Sequence, residues 1–124
     1  MMILVDTSIW IDHFRGSERR LARLLDQGNV VMHPFVVGEL LLGKAPKITE
    51  MIDDLKALPK AAVASDGEVL KFIAERKLPG SGIGYVDAHL LAATTLTPET
   101  VIWTRDRRLL AAAHSLSLAA DIRE

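Results

Sequence analysis

The chain has no cysteine. That absence excludes a disulfide scaffold, a thiolate zinc site and a cysteine nucleophile, and it fits a reducing compartment. No apolar run approaches the ~20 residues of a membrane span. The apolar start Met1 to Val5 is cut short by Asp6, too soon for a secretory signal, so a cytoplasmic address is expected and no membrane partner. There is no excess of one charge either. Fifteen basic residues stand against 16 acidic ones, for a net charge of −1. A protein relying on non-specific grip of nucleic acid is usually more basic overall, although local basic faces remain open to it. Repeats, linkers and low-complexity tracts are also missing.

What remains is 124 residues, 49% hydrophobic and 25% charged. That is the balance and size of one ordinary globular domain, expected to span residues 1–124. Short β-rich runs alternate with longer helical stretches, which predicts an α/β fold with a mostly parallel sheet. Ile3 to Val5 is a continuous apolar run of the kind a sheet covered on both faces requires. Val30 to Met32 and Val101 to Trp103 read the same way, while Ala61 to Val63 and Leu116 to Leu118 are weaker strand candidates.

Helices are expected over Thr7 to Phe14, from Ser17 to a Gly28 cap, over Phe35 to Leu42 behind Pro34, and from Ile48 until Pro59. Another follows a Ser65–Glu68 capping box, and two more cover about Tyr85 to Thr94 and Arg107 to His114.

Most of the acids sit on polar faces or in turns. Four do not. Asp6 follows a strand that should be central, at the end where open α/β sheets bind ligands, although it could equally cap the next helix. Glu39 is the only charge in Phe-Val-Val-Gly-Glu-Leu-Leu-Leu-Gly, and burial of an unpaired carboxylate costs several kcal/mol. It must therefore face water, a cation, or a basic partner such as Lys44 or Arg15. Asp87 interrupts an apolar helix near its start, where acids are favoured. Asp106 comes just past the strand ending at Trp103 and could cap the helix after it. All four can reach one rim of the same sheet. Two such charges ~4 Å apart repel by about 4 kcal/mol at an effective dielectric of 20. Protons or a cation must neutralise such a cluster, and all-oxygen ligands select a hard ion, Mg²⁺ or Mn²⁺.

These residues and their flanks resemble the PIN-domain family, in particular its VapC branch of toxins from type II toxin–antitoxin pairs. The resemblance is carried by Ile-Leu-Val-Asp6-Thr7-Ser8, Val-Gly-Glu39-Leu, Val-Asp87-Ala-His-Leu-Leu-Ala-Ala and Ile-Trp-Thr104-Arg-Asp106-Arg-Arg-Leu. It runs in the family's order from residue 2 to about 118. It implies a three-layer α/β/α sandwich around about five mostly parallel strands, with the first central and the fourth beside it. It also implies a Mg²⁺- or Mn²⁺-dependent endoribonuclease. Asp6, Asp87 and Asp106 would hold the metal, Glu39 would orient or deprotonate the attacking water, and Thr104 and Ser8 would support the shell. A homodimer and a VapB-like antitoxin crossing the active-site groove are implied as well.

The competing reading is a phosphorylation switch of response-regulator receiver type, which also holds Mg²⁺ on strand-end acids. It needs two adjacent acids after the first strand and a lysine near the end of a late one. Here Asp6 is followed by Thr7-Ser8, and Lys77 is the last lysine in the chain.

Among the remaining polar residues, the four histidines are expected to lie singly in core or solvent. The arginines around Asp106 and those from Arg15 to Arg23 are expected on solvated helix faces, with a few touching RNA phosphates.

Overall fold

β1 (Met2–Val5) forms the centre of a parallel sheet of order β2-β1-β3, between β2 (Val30–Val31) and β3 (Thr100–Trp103). The computed structural model describes residues 1–45 and 47–123. Register pairs Ile3 with Val30 and with Val101, and Val5 with Trp103. Leu4 and Val5 are fully buried, as expected of a strand enclosed by neighbours and covered on both faces.

Seven helices among the described residues pack around this sheet in an α/β/α sandwich. They are α1 (Thr7–Phe14), α2 (Arg20–Asp26), α3 (Pro34–Leu42), α4 (Ile48–Lys56), α5 (Asp66–Glu75), α6 (Tyr85–Leu96) and α7 (Arg107–Ser115). Ile9, Trp10, Leu21, Val36, Leu40, Leu90, Leu91 and Leu109 carry the helices onto the strands, all nearly or fully buried.

The sheet is narrower than the expected five strands. Ala61 to Val63 is not a strand: only Lys60 bridges to Met32, in parallel. Pro59 supplies no N–H to extend a ladder, and Val63 is exposed. At the other edge Leu116 closes α7, Ser117 takes a left-handed φ of 57°, and only Ala119 bridges to Ile102. Both outer strands are thus reduced to single bridges. Other differences are small. α2 begins at Arg20 rather than near Ser17, and α6 runs two residues further, to Leu96.

Several local signals act as read. Gly28 ends α2 with φ of 71°, Pro34 opens α3, and Ser65 with Glu68 makes a complete capping box. Parallel strands direct their carboxyl ends to one rim. Asp6 directly follows β1, and Asp106 lies three residues past β3.

Candidate active site

Asp6 is buried and held on both carboxylate oxygens. Oδ1 accepts the Thr7 amide at 2.8 Å, while Oδ2 accepts the Ser8 hydroxyl at 3.2 Å and the Thr104 hydroxyl at 2.7 Å. The same Thr104 hydroxyl accepts the Asp106 amide at 3.1 Å. One side chain thus ties the end of β1 to the turn after β3. Thr7, the first residue of α1, donates its hydroxyl to Glu39 Oε1 at 2.8 Å and brings α3 to the same rim. Asp106 Oδ1 accepts the amides of Arg108 and Leu109, capping α7. Capping and clustering are therefore not alternatives for Asp6 and Asp106; each carboxylate does both.

Asp87 stands in the first turn of α6, partly buried. Burial pushes its carboxyl up to about 6, and the charges of Asp6, Asp106 and Glu39 push in the same direction, against a lowering hydrogen bond from the Gly84 backbone. All three other acids act on Asp87. None of the four forms an ion pair with a described cation, and the Lys44 or Arg15 bridge considered for Glu39 does not form. Glu39 is itself exposed, because α3 is not buried all round: Leu41 and Leu42 also face outward. Four carboxylates and two hydroxyls without a countercharge suit a hard divalent cation. As the side chains stand, no three of the described acids or histidines close around one point as a metal cage would.

Two groupings around this rim escaped the sequence reading. Arg105 is exposed, as expected, but it also ion-pairs with Asp12 of α1 and with the buried Glu18. Glu18 also takes a fork of hydrogen bonds from Arg20, at 3.0 and 2.8 Å. That partner, helped by Arg105, holds the buried Glu18 carboxyl at about 2 against its desolvation. This network fastens the turn carrying Thr104 and Asp106 to the helix that Asp6 caps. The Arg105–Glu18 pair was hidden because the two residues lie 87 positions apart. Truncation of Arg105 to Ala leaves Glu18 its Arg20 and is expected to cost about 1–2 kcal/mol, read from urea unfolding.

The second grouping gathers histidines expected to lie apart. Phe35 packs edge-on against His33 and tilted against His89, with ring centroids 5.0 and 4.7 Å away. His89 shares Asp66 Oδ1 with the Tyr85 hydroxyl, at 3.1 and 3.0 Å. Burial, and then the His89 charge, lowers His33 to about 4, so it stays neutral and accepts the Phe35 amide through Nδ1. This ring cluster joins the start of α3 to α6 and so fixes Glu39 relative to Asp87.

Residues 3–115 match the PIN domain family. Ribonuclease VapC32, in two strains of Mycobacterium tuberculosis, is 42% identical over 118 residues, covering 95% of each chain. The chain belongs to the PIN-domain family, in its VapC branch. A chain from the crystal structure of FitAcB from Neisseria gonorrhoeae superposes on this PIN domain with a TM-score of 0.63 at 21% identity. It covers 91% of this chain and 94% of that one, and the likeness is one of fold. The central β1, with β3 at its side, is the arrangement that the sequence resemblance implied.

Proposed function

We propose that this PIN domain is a divalent-metal-dependent endoribonuclease whose active site is Asp6, Glu39, Asp87 and Asp106, with Thr104 and Ser8 in support. The observation that carries the reading is that Asp6, Glu39 and Asp106, brought by β1, α3 and the β3–α7 turn, all act on Asp87 of α6, while none of the four ion-pairs with a described cation. The 42% identity to a ribonuclease VapC supports RNA as the substrate.

Asp6, Asp87 and Asp106 would hold Mg²⁺ or Mn²⁺, which when bound acidifies an attacking water and neutralises charge developing on the phosphate. Three hydrogen bonds fix the Asp6 carboxylate, so it is oriented before any ligand arrives. Thr104 holds Asp6 with its hydroxyl proton and the Asp106 amide with a lone pair, which sets the two strand-end acids at a constant offset. Glu39 keeps Oε2 without a described partner and faces water. It is placed to take the proton as the water oxygen bonds to phosphorus and the bond from phosphorus to the 3′-oxygen breaks. The leaving oxygen takes a proton from solvent. The products are a 5′-phosphate and a 3′-hydroxyl, and the RNA's 2′-hydroxyl is not consumed.

The end chemistry tests this. Fragments from RNA incubated with the protein and Mg²⁺ are expected to ligate to an adapter without prior phosphorylation. Fragments ending in 2′,3′-cyclic phosphate would contradict the mechanism.

The VapC branch supports action as a toxin restrained by a VapB-like antitoxin, and a homodimer. The outward Leu41 and Leu42 at the end of α3 give such partners an apolar face. No helix among the described residues is long and apolar enough to cross a membrane, and the reading places the protein in the cytoplasm.

A further inference from the structure

Beside the acidic rim lies a groove of the opposite character. It has a volume of about 380 Å³ and runs between α7 and the turn that follows α5. Lys77, Arg107 and Arg108 line it together with Ser81 and Ser115, and no acid does. Both walls lead to the candidate active site. On one side Arg107 directly follows Asp106. On the other, Ser81 and Gly82 belong to the loop that enters α6 two residues before Asp87.

The three cations are in unequal states. Arg108 is spent on holding the loop: its Nη1 donates to the Gly82 carbonyl at 3.4 Å. A Cβ at Gly82 would come within 3.0 Å of its side chain, so the arginine lies directly against that glycine. Lys77 and Arg107 are exposed and make no ion pair or side-chain hydrogen bond among the described residues. Elsewhere Arg105 and Arg20 are engaged on Glu18, and Arg23 on the Arg123 carbonyl. Two uncommitted cations thus line a groove one wall of which, α7, starts directly after Asp106.

We propose that Lys77 and Arg107 form a phosphate-binding subsite that seats the single-stranded RNA backbone next to the bond being cut. The inference rests on the nuclease reading and deepens it. A groove of basic side chains tracking the backbone, without base contacts, is how single strands are held irrespective of sequence. It also draws a polyanion toward a rim that would otherwise repel it. Local grip is obtained although the whole chain carries a net charge of −1.

Lys77 suits a clean test because its φ is 58°, a left-handed conformation in which glycine is unstrained. Lys77→Gly therefore deletes the cation without harming the turn. Binding of a fluorescent single-stranded RNA in EDTA is followed by anisotropy over a range of KCl concentrations. Lys77→Gly and Arg107→Ala are each expected to weaken binding several-fold and to flatten the plot of log K against log salt by about 0.7 for each phosphate no longer neutralised. Lys56→Ala, removing an exposed cation near the opposite edge of the sheet, is expected to change neither. Unchanged affinity and slope in the double variant, or a loss equalled by Lys56→Ala, would overturn the subsite. So would equal competition by polyglutamate, which would mark an acidic protein segment as the occupant. Cleavage in Mg²⁺ is assayed in parallel: wild type that binds but never cuts removes the nuclease reading alone, and wild type that cuts with unaltered salt slopes in the variants removes the subsite alone.

Discussion

Asp6→Asn is expected to lower Mg²⁺-dependent RNA cleavage by about 10²–10³-fold or more, the loss that follows removal of one preorganised electrostatic group from a site. The fold should be untouched, for a reason specific to this carboxylate. Asn is as good an N-cap as Asp, so its oxygen still accepts the Thr7 amide that now lies 2.8 Å from Oδ1. The amide nitrogen then faces Thr104, whose hydroxyl can rotate to accept it, since a hydroxyl both donates and accepts. Besides the charge, what goes is the acceptor that Oδ2 offered to the Ser8 and Thr104 hydroxyls, which can turn to other partners. Equal melting temperatures in chelator, beside a collapse in rate, would separate a chemical role from a structural one. Asp106→Asn should behave alike, because its Oδ1 caps α7 through two amides that an Asn oxygen can also hold. Full cleavage by either purified variant would remove these acids from the reaction.

Asp87→Asn is expected to stabilise the metal-free protein. The folded carboxyl titrates at about 6 against an ordinary 3.8, burial being the main cause and the three neighbouring carboxylates adding to it. A raised carboxyl binds its proton more tightly in the folded state. Its contribution to stability is therefore complete below pH ~4 and is lost as pH rises through about 6. A shift of that size corresponds to about 3 kcal/mol, and partial access to solvent brings the net effect to about 1–2 kcal/mol. At neutral pH in EDTA the variant should melt roughly 5 °C above wild type, with the difference shrinking toward pH 4. Glu18, held at about 2, works in the opposite sense: its stability is present above its ordinary value of 4.5 and is lost as pH falls. It is common to both proteins and cancels in the comparison. Saturating Mg²⁺ should reverse the order, because a ligand bound only by the folded state stabilises it. A variant less stable than wild type at every pH in EDTA would show that Asp87 is not under strain from its neighbours.

The physics of local signals explains what the sequence disclosed. β1 was legible because a strand covered on both faces must be apolar throughout, and Leu4 and Val5 are fully buried. Caps and stops at Gly28, Pro34 and Ser65 depend on neighbours within four residues, so they could be read without the fold. The outer strands failed because a single bridge leaves no periodic pattern: Lys60 and Ala119 each contribute one residue to the sheet. Asp6, Glu39, Asp87 and Asp106 stood out as charges out of place, whereas the groups that hold them did not. Arg105 looks like any surface arginine until Glu18 and Asp12 are brought to it by tertiary structure. The packing of Phe35 between His33 and His89 is likewise a property of two helices meeting, not of either one.

A divalent cation is proposed to relieve the carboxylates of Asp6, Glu39 and Asp106, which all act on Asp87. Titration of the purified protein with Mn²⁺, followed by the loss of the free-ion electron paramagnetic resonance signal, tests this without any RNA. Wild type is expected to bind Mn²⁺ in competition with Mg²⁺, and Asp6→Asn and Asp87→Asn to bind it at least about tenfold more weakly. Mn²⁺ binding that is absent in wild type, or unchanged in both variants, would contradict it.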